Sequence, residues 1–169
     1  MDALAAVRQE LPKARFQVRG SGDGVDGLRR HVAERGLDDA VDQPTRLLAL
    51  PEIVAEIDNV HIGLVPSQRD PWTDEVLPTK LLEYAAMGIP VITFRNPVIE
   101  QYFPPDSVSY VDPANAETLR EAMLGLARDP ERARKQAARA GEVMTALSWS
   151  RQRETYYEVI DRLAARRRG

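Results

Sequence analysis

Cysteine is absent from the 169 residues. Its absence excludes disulfides, thiolate metal sites and thiol catalysis, and it agrees with a cytoplasmic setting. No apolar run approaches the roughly 18 residues that would suggest a membrane span, and the N-terminus lacks the charged-then-apolar pattern of a secretory leader. A soluble cytoplasmic protein is expected. Excess basic charge is missing too: the formal net charge is −3, which gives a nucleic-acid partner no electrostatic support. The basic run Arg166-Arg167-Arg168 is short and follows a helical segment, so it reads as a frayed helix end rather than a membrane-tethering patch. There is also no Asp-x-Asp motif, and read from Gly20 the dinucleotide fingerprint G-x-G-x-x-G fails, because Val25 holds its third glycine position.

What is present is an ordinary globular chain. Hydrophobic residues make up 43% and charged residues 29%, which argues against disorder. The length suits one domain, able to bury roughly 70% of the surface of its unfolded chain. Helical and strand patterns alternate. Apolar spacing predicts a helix over 3–11 stopped by Pro12, and a short strand over 16–18 running into Gly20-Ser21-Gly22-Asp23-Gly24. Val25, Leu28, Val32 and Leu37 mark a second helix with Gly36 near its end, and residues 40–43 form a short extended stretch before Pro44. Pro51 fits the first turn of a helix carrying Ile53, Val54 and Ile57.

Residues 60–65 read as a strand buried on both faces, 81–87 as a helix closed by Gly88, 89–94 as another apolar strand, and 97–103 as a short helical turn. Residues 108–111 form an edge-like last strand. After Asp112-Pro113 the pattern is helical to the end: Leu119, Met123, Leu124 and Ala127 form one stripe, Asp129-Pro130 punctuates, and helices follow over 133–147 and 149–166, the last with Tyr156, Ile160 and Leu163 spaced for one face. The pattern predicts an α/β, Rossmann-like, mostly parallel sheet with helices on both faces, clasped by the three C-terminal helices.

The segment over 60–90, VHIGLVPSQRDPWTDEVLPTKLLEYAAMGIP, carries the chemistry. A strand, a polar loop and a helix starting near Pro78-Thr79 put unpaired helix N–H groups where open parallel sheets place their ligands. A diphosphate suits such a place. Thr79 either caps the helix or reaches a phosphate. Glu83, between Leu82 and Tyr84, either pairs with Lys80 or accepts two adjacent ribose hydroxyls. Trp72 either anchors the loop or stacks on a base or acceptor. Asp70, Asp74 and Glu75 could form a loop cation site, a reading set below a metal-free one. The glycine turn reads as a tight turn without a ligand, and His31 and His61 receive no role.

Glu83 follows Glu75 by eight positions. This spacing matches the E-x7-E motif of the retaining glycosyltransferases of family 4, and LPTKLLEYAAMGIPVI resembles the central stretch of their C-terminal domain in a P-x-K-x-x-E-Y variant. DNVHIGLVPS, NPVIEQYF, FQVRGSGDG and SWSRQRETYYEVIDRL are similar to its other segments, so the resemblance covers essentially the whole chain. It implies the GT-B fold and the donor-binding half of an enzyme of group 1. Glu75 would contact the donor sugar near its reacting carbon, and Glu83 the ribose. Amides around Leu77, Pro78, Thr79 and Lys80 would hold the diphosphate, with Lys80 as a charge partner. Pro44, Thr45 and Arg46 would lie near the base. Glu100 and the turn residues Gly20 and Gly22 would complete the donor site.

The implied reaction is transfer of a sugar from a nucleoside diphosphate sugar with retention. Front-face attack without a protein nucleophile is implied, and neither metal nor cofactor. The acceptor would be a glycan or glycolipid, as in cell-envelope polysaccharide synthesis, in the cytoplasm or at the inner membrane face. The family's opening strand, its Gly-Arg and Lys clamp and its N-terminal acceptor domain have no counterpart in this sequence. The sheet is therefore expected to lack a central strand, with the chain either a fragment of a longer protein or one that fills the gap by self-association, and the chain alone is expected to be weakly active. A GT-B epimerase and a non-catalytic scaffolding relic are the competing readings. A nicotinamide-dependent oxidoreductase is disfavoured by the absence of an obvious catalytic base.

Overall fold

The computed structural model describes all residues except 44–47, 66–70, 72, 113–114 and 167–169. Its elements run α1 (Asp2–Glu10), β1 (Phe16–Gln17), α2 (Val25–Glu34), β2 (Val41–Asp42), α3 (Leu50–Ile57) and β3 (Gly63–Val65). A 3-10 turn (Thr73–Glu75), α4 (Thr79–Ala86), β4 (Val91–Phe94), α5 (Pro97–Tyr102) and β5 (Ser109–Val111) follow. Three helices close the chain: α6 (Ala116–Arg128), α7 (Pro130–Leu147) and α8 (Trp149–Arg166). The α/β class and the parallel pairing are as the sequence implies.

Local chemistry sets several boundaries. Gly36 and Gly88 lie just past α2 and α4 with φ of 60° and 71°, left-handed values at which a Cβ would be strained. Pro51 sits in the first turn of α3, where Glu52 accepts a 2.8 Å hydrogen bond from the Ala49 amide. Asp129 accepts from the Arg132 amide at 2.9 Å, so α7 starts at Pro130, three residues before the expected start.

The sheet is interrupted, as expected of one that lacks a central strand. β3-β4-β5 form one parallel sheet and β1-β2 a separate parallel pair. Among the described residues no strand joins β1 to β3, and the second edge of β3 is unpaired. The strand expected over 60–65 is accordingly shorter: Val60 donates to Ile57 in a turn, and only residues 63–65 enter the ladder. Likewise β4 begins at Val91, after Pro90, which has no amide proton to offer.

β4 shows why this sheet needs two covers. Val91 faces a cluster with Val65, Leu81, Ala85, Ile99, Phe103, Val108 and Ala140, and Ile92 faces Val111 and Leu126 on the other side. Helices α4, α5 and α7 supply the first layer and α6 the second. A third cluster, Leu4, Val32, Leu37 and Ala40, covers the β1-β2 pair. Met123 of α6 packs against both the second and third clusters, and Glu10 of α1 pairs with Arg120 and Arg128 of α6. The two sheets are thus joined through helices, not through a continuous ladder.

Gln136 of α7, only 6% exposed, donates to the Val91 carbonyl at 2.8 Å and accepts from the Ser109 hydroxyl at 2.9 Å. It ties α7 to the first residues of β4 and β5. The clasping role expected of α8 is not met. All its positions are exposed, its hydrogen-bonded anchorage comes from Ser148 and from the Ala146 carbonyl of α7, and the stripe of Tyr156, Ile160 and Leu163 faces away from the sheet. Periodicity produced the stripe, but among the described residues no element covers it. Among the described residues no helix is long and apolar enough to cross a membrane.

Candidate functional site

The carboxyl ends of β3 and β4 lead into the residues singled out by sequence. Leu81 and Ala85, 0% and 1% exposed, fix α4 against β3 and β4. Pro78 is its N-cap, with ψ of 126°, and no side chain caps this end. The Pro78 carbonyl takes the amides of Leu81 and Leu82 at 3.0 and 3.4 Å. The capping alternative for Thr79 is therefore not realised. Thr79 is exposed in the first turn, where helix amides lack intrahelical acceptors and the dipole is positive.

Lys80 and Glu83 lie one turn apart on the same side of α4. Lys80 Nζ donates to Glu83 Oε2 at 2.8 Å, with side chains 60% and 42% exposed. Of the two roles open to Glu83, the structure adopts the ion pair. The neighbouring Tyr84 lies against the backbone of Gly63 in β3: a Cβ built on that glycine falls 2.5 Å from Tyr84 Cδ2. Burial raises the Tyr84 phenol above its ordinary pKa, with Lys80 opposing and Glu83 reinforcing. Gly63 is thus the space that lets α4 dock on β3.

Glu75 ends the 3-10 turn ahead of α4 and is exposed. Val76 closes that turn onto the Thr73 carbonyl at 3.4 Å. The same carbonyl accepts from the Asn96 amide, which reaches across from the end of β4. Glu100 lies in α5 and pairs with Arg95, whose guanidinium sits 4.9 Å from the centre of the Tyr110 ring. Tyr110 donates to the Phe103 carbonyl at 2.7 Å. Its phenol is pushed up to about 12, chiefly by burial and then by Glu100, with Arg95 acting against them.

The glycine turn forms a separate place. Val18, Gly20, Ser21, Gly22, Gly24, Val25, Leu28 and Gln43 line a shallow, mostly apolar groove of about 200 Å³. Gly22 has φ of 140°, and a Cβ at Gly20 or Gly22 would meet open space. Beside it Arg19 pairs with Asp42 and with Glu56, tying β1 and β2 to α3. Among the described residues no hydrogen bond or ion pair joins this turn to α4. Pro44, Thr45 and Arg46, expected near the base, fall outside the described residues, as do Asp70 and Trp72. No group of three possible metal ligands occurs among the described residues.

The structure therefore brings Leu77, Pro78, Thr79, Lys80 and Glu83 together at one helix start, with Glu75 just ahead and Glu100 nearby. Sequence reasoning missed Arg95 and Asn96. The Asn96-Pro97 pair is a recognisable helix-start signal, but nothing local announces the reach to Thr73.

The family described as "Glycosyl transferases group 1" matches residues 1–143. WcaL of Escherichia coli, named for colanic acid biosynthesis glycosyltransferase activity, is 26% identical over 116 residues, 68% of this chain and 28% of that protein. Sucrose-phosphate synthase of Thermosynechococcus elongatus superposes with a TM-score of 0.79 at 22% identity, over 97% of this chain and 42% of its own. The C-terminal domain of a group 1 glycosyl transferase, LpcC, of Francisella tularensis gives 0.72 at 18% identity, over 86% of this chain and 75% of its own. A pneumococcal O-GlcNAc transferase, GtfA, solved with UDP and GlcNAc, gives 0.74 at 18% identity, over 96% of this chain and 32% of its own. These structural likenesses establish the fold, and the chain spans less than half of WcaL and of the synthase.

Proposed function

Because the chain belongs to the group 1 glycosyltransferases, we propose that it is the part of such an enzyme that holds a nucleoside diphosphate sugar and presents it for transfer. The observation that carries this reading is the uncapped start of α4 at the end of β3, with Lys80 and Glu83 one turn in. The diphosphate meets the amides of residues 77–80, where the helix dipole favours negative charge. Lys80 turns from Glu83 to the phosphates, and Glu83 turns to the ribose hydroxyls. The exchange is easy, because an exposed ion pair of this kind is worth about 0–1 kcal/mol.

Glu75, on the turn just ahead of α4, faces the sugar. Charge builds on the leaving diphosphate as the glycosidic bond loosens, so donors already aimed at it lower the barrier as oxyanion-type groups do. Transfer proceeds with retention, by attack of the acceptor on the face from which the diphosphate departs, and without a metal. The acceptor is a glycan or glycolipid, held by a further domain or a second chain that also closes the site to water.

Calorimetry with UDP, GDP, UDP-glucose, UDP-N-acetylglucosamine and GDP-mannose tests the reading. One of these should bind with a Kd of about 1 mM or tighter, and Glu83→Gln should weaken it about tenfold while leaving the melting temperature in place. Absence of binding by every probe would sink the donor-site reading and leave a scaffolding relic of the fold.

A further inference from the structure

Asn96 is 3% exposed, and both ends of its side-chain amide are used. Oδ1 accepts from the amides of Val98 at 2.7 Å and Ile99 at 3.2 Å, capping α5. Nδ2 donates to the Thr73 carbonyl. The two ends are not interchangeable, since helix amides demand an acceptor and a carbonyl demands a donor. The cap rests on a fixed platform, because Ile99 and Phe103 at the two ends of α5 are both 0% exposed in the core.

The Thr73 carbonyl also closes the 3-10 turn by accepting from Val76. One buried amide therefore joins the core, through α5, to the backbone two residues before Glu75. Glu75 itself is exposed at the end of that turn. From this chain of contacts we infer that Asn96 is a positioning residue: it holds the Glu75 turn in place for the sugar of the donor, while taking no part in holding the nucleotide. The inference rests on the donor-site reading above.

Asn96→Asp and Asn96→Ser separate the tether from the cap. Both replacements cap helices well, but Asp turns an oxygen toward the Thr73 carbonyl and Ser is too short to reach it. Calorimetry on the full chain compares UDP and GDP with UDP-glucose, UDP-N-acetylglucosamine and GDP-mannose, and amide hydrogen exchange follows residues 73–76. In both variants the nucleotide sugar should bind about fivefold to tenfold more weakly, the size of one lost hydrogen bond, while the nucleotide alone stays within about twofold. Exchange in the turn should quicken in step. An unchanged ratio of nucleotide-sugar to nucleotide affinity in both variants, with the wild type binding normally, overturns the inference alone. A wild type that binds none of the probes removes the donor-site reading, and this inference with it.

Discussion

Replacing Gly63 by alanine adds a single methyl group to β3, in a place already taken by an aromatic ring. The new carbon would stand 2.5, 2.6 and 3.1 Å from Cδ2, Cγ and Cε2 of Tyr84, against about 3.5–4.0 Å for carbons in comfortable contact. Ring rotation gives no relief, because Cγ lies on the rotation axis. The ring has to leave its χ1 well, or α4 has to rise, and α4 is pinned by Leu81 and Ala85, which are almost fully buried. Overpacking of this kind costs about 1–3 kcal/mol, offset in part by about 0.5–1 kcal/mol from the lower backbone entropy of alanine in a strand. From the middle of these ranges the net loss should be about 1 kcal/mol, or about 2–4 °C in melting temperature for a domain of this size. Urea unfolding of the wild type, Gly63→Ala, Tyr84→Ala and the double variant measures it. With Tyr84 shortened, the alanine should be neutral or slightly stabilising. An equal cost in both backgrounds, with coupling below about 0.5 kcal/mol, would refute the claim that this glycine exists to seat the tyrosine.

Three further outcomes are expected. Gln136→Ala strands the Val91 carbonyl and the Ser109 hydroxyl, so the urea midpoint should fall by the equivalent of about 2–4 kcal/mol with an unchanged slope; a loss below about 0.5 kcal/mol would contradict the ties described. Hydrogen bonds from Arg35 and Arg8 hold the carboxyls of Asp2 and Asp39 below their ordinary value. A lowered folded-state value stabilises above the unfolded value and loses that effect as pH falls through the folded one. The joint variant Arg8→Met, Arg35→Met should therefore show a shallower fall in stability below about pH 4, and an acid limb as steep as the wild type's would argue against these pairs. Deleting residues 149–169 removes a helix with no buried residue, so the melting temperature should move by no more than about 2 °C and light scattering at high concentration should drop.

Much of the fold was legible because its signals are local. Gly88 ends α4, Pro51 opens α3, and the apolar run at Val91, Ile92 and Phe94 marks a strand covered on both faces. Local signals fail where a distant partner decides. Val60 and Ile62 look as strand-like as Leu64 and Val65, but only residues facing β4 enter the ladder. The stripe of Tyr156, Ile160 and Leu163 predicts a face without saying what lies against it. At the site, the spacing of Lys80 and Glu83 permits an ion pair or a shared grip on a ligand, and the structure holds the pair. Asn96 shows both sides at once: its cap is written in Asn96-Pro97, whereas its hold on Thr73 spans 23 positions.

The Gln136 contacts have a wider meaning for how change is tolerated in this half of the molecule. They bind α7 where β4 and β5 begin, whereas Asn96, Lys80 and Glu83 follow the places where strands finish. Cohesion is thereby anchored at the tail of the arrows, and on the proposed donor-site reading recognition lies at their heads. On that reading, exposed loops at the heads can drift toward new donors without loosening the body, and substitutions at the tails can harden or soften the body without altering what it grips.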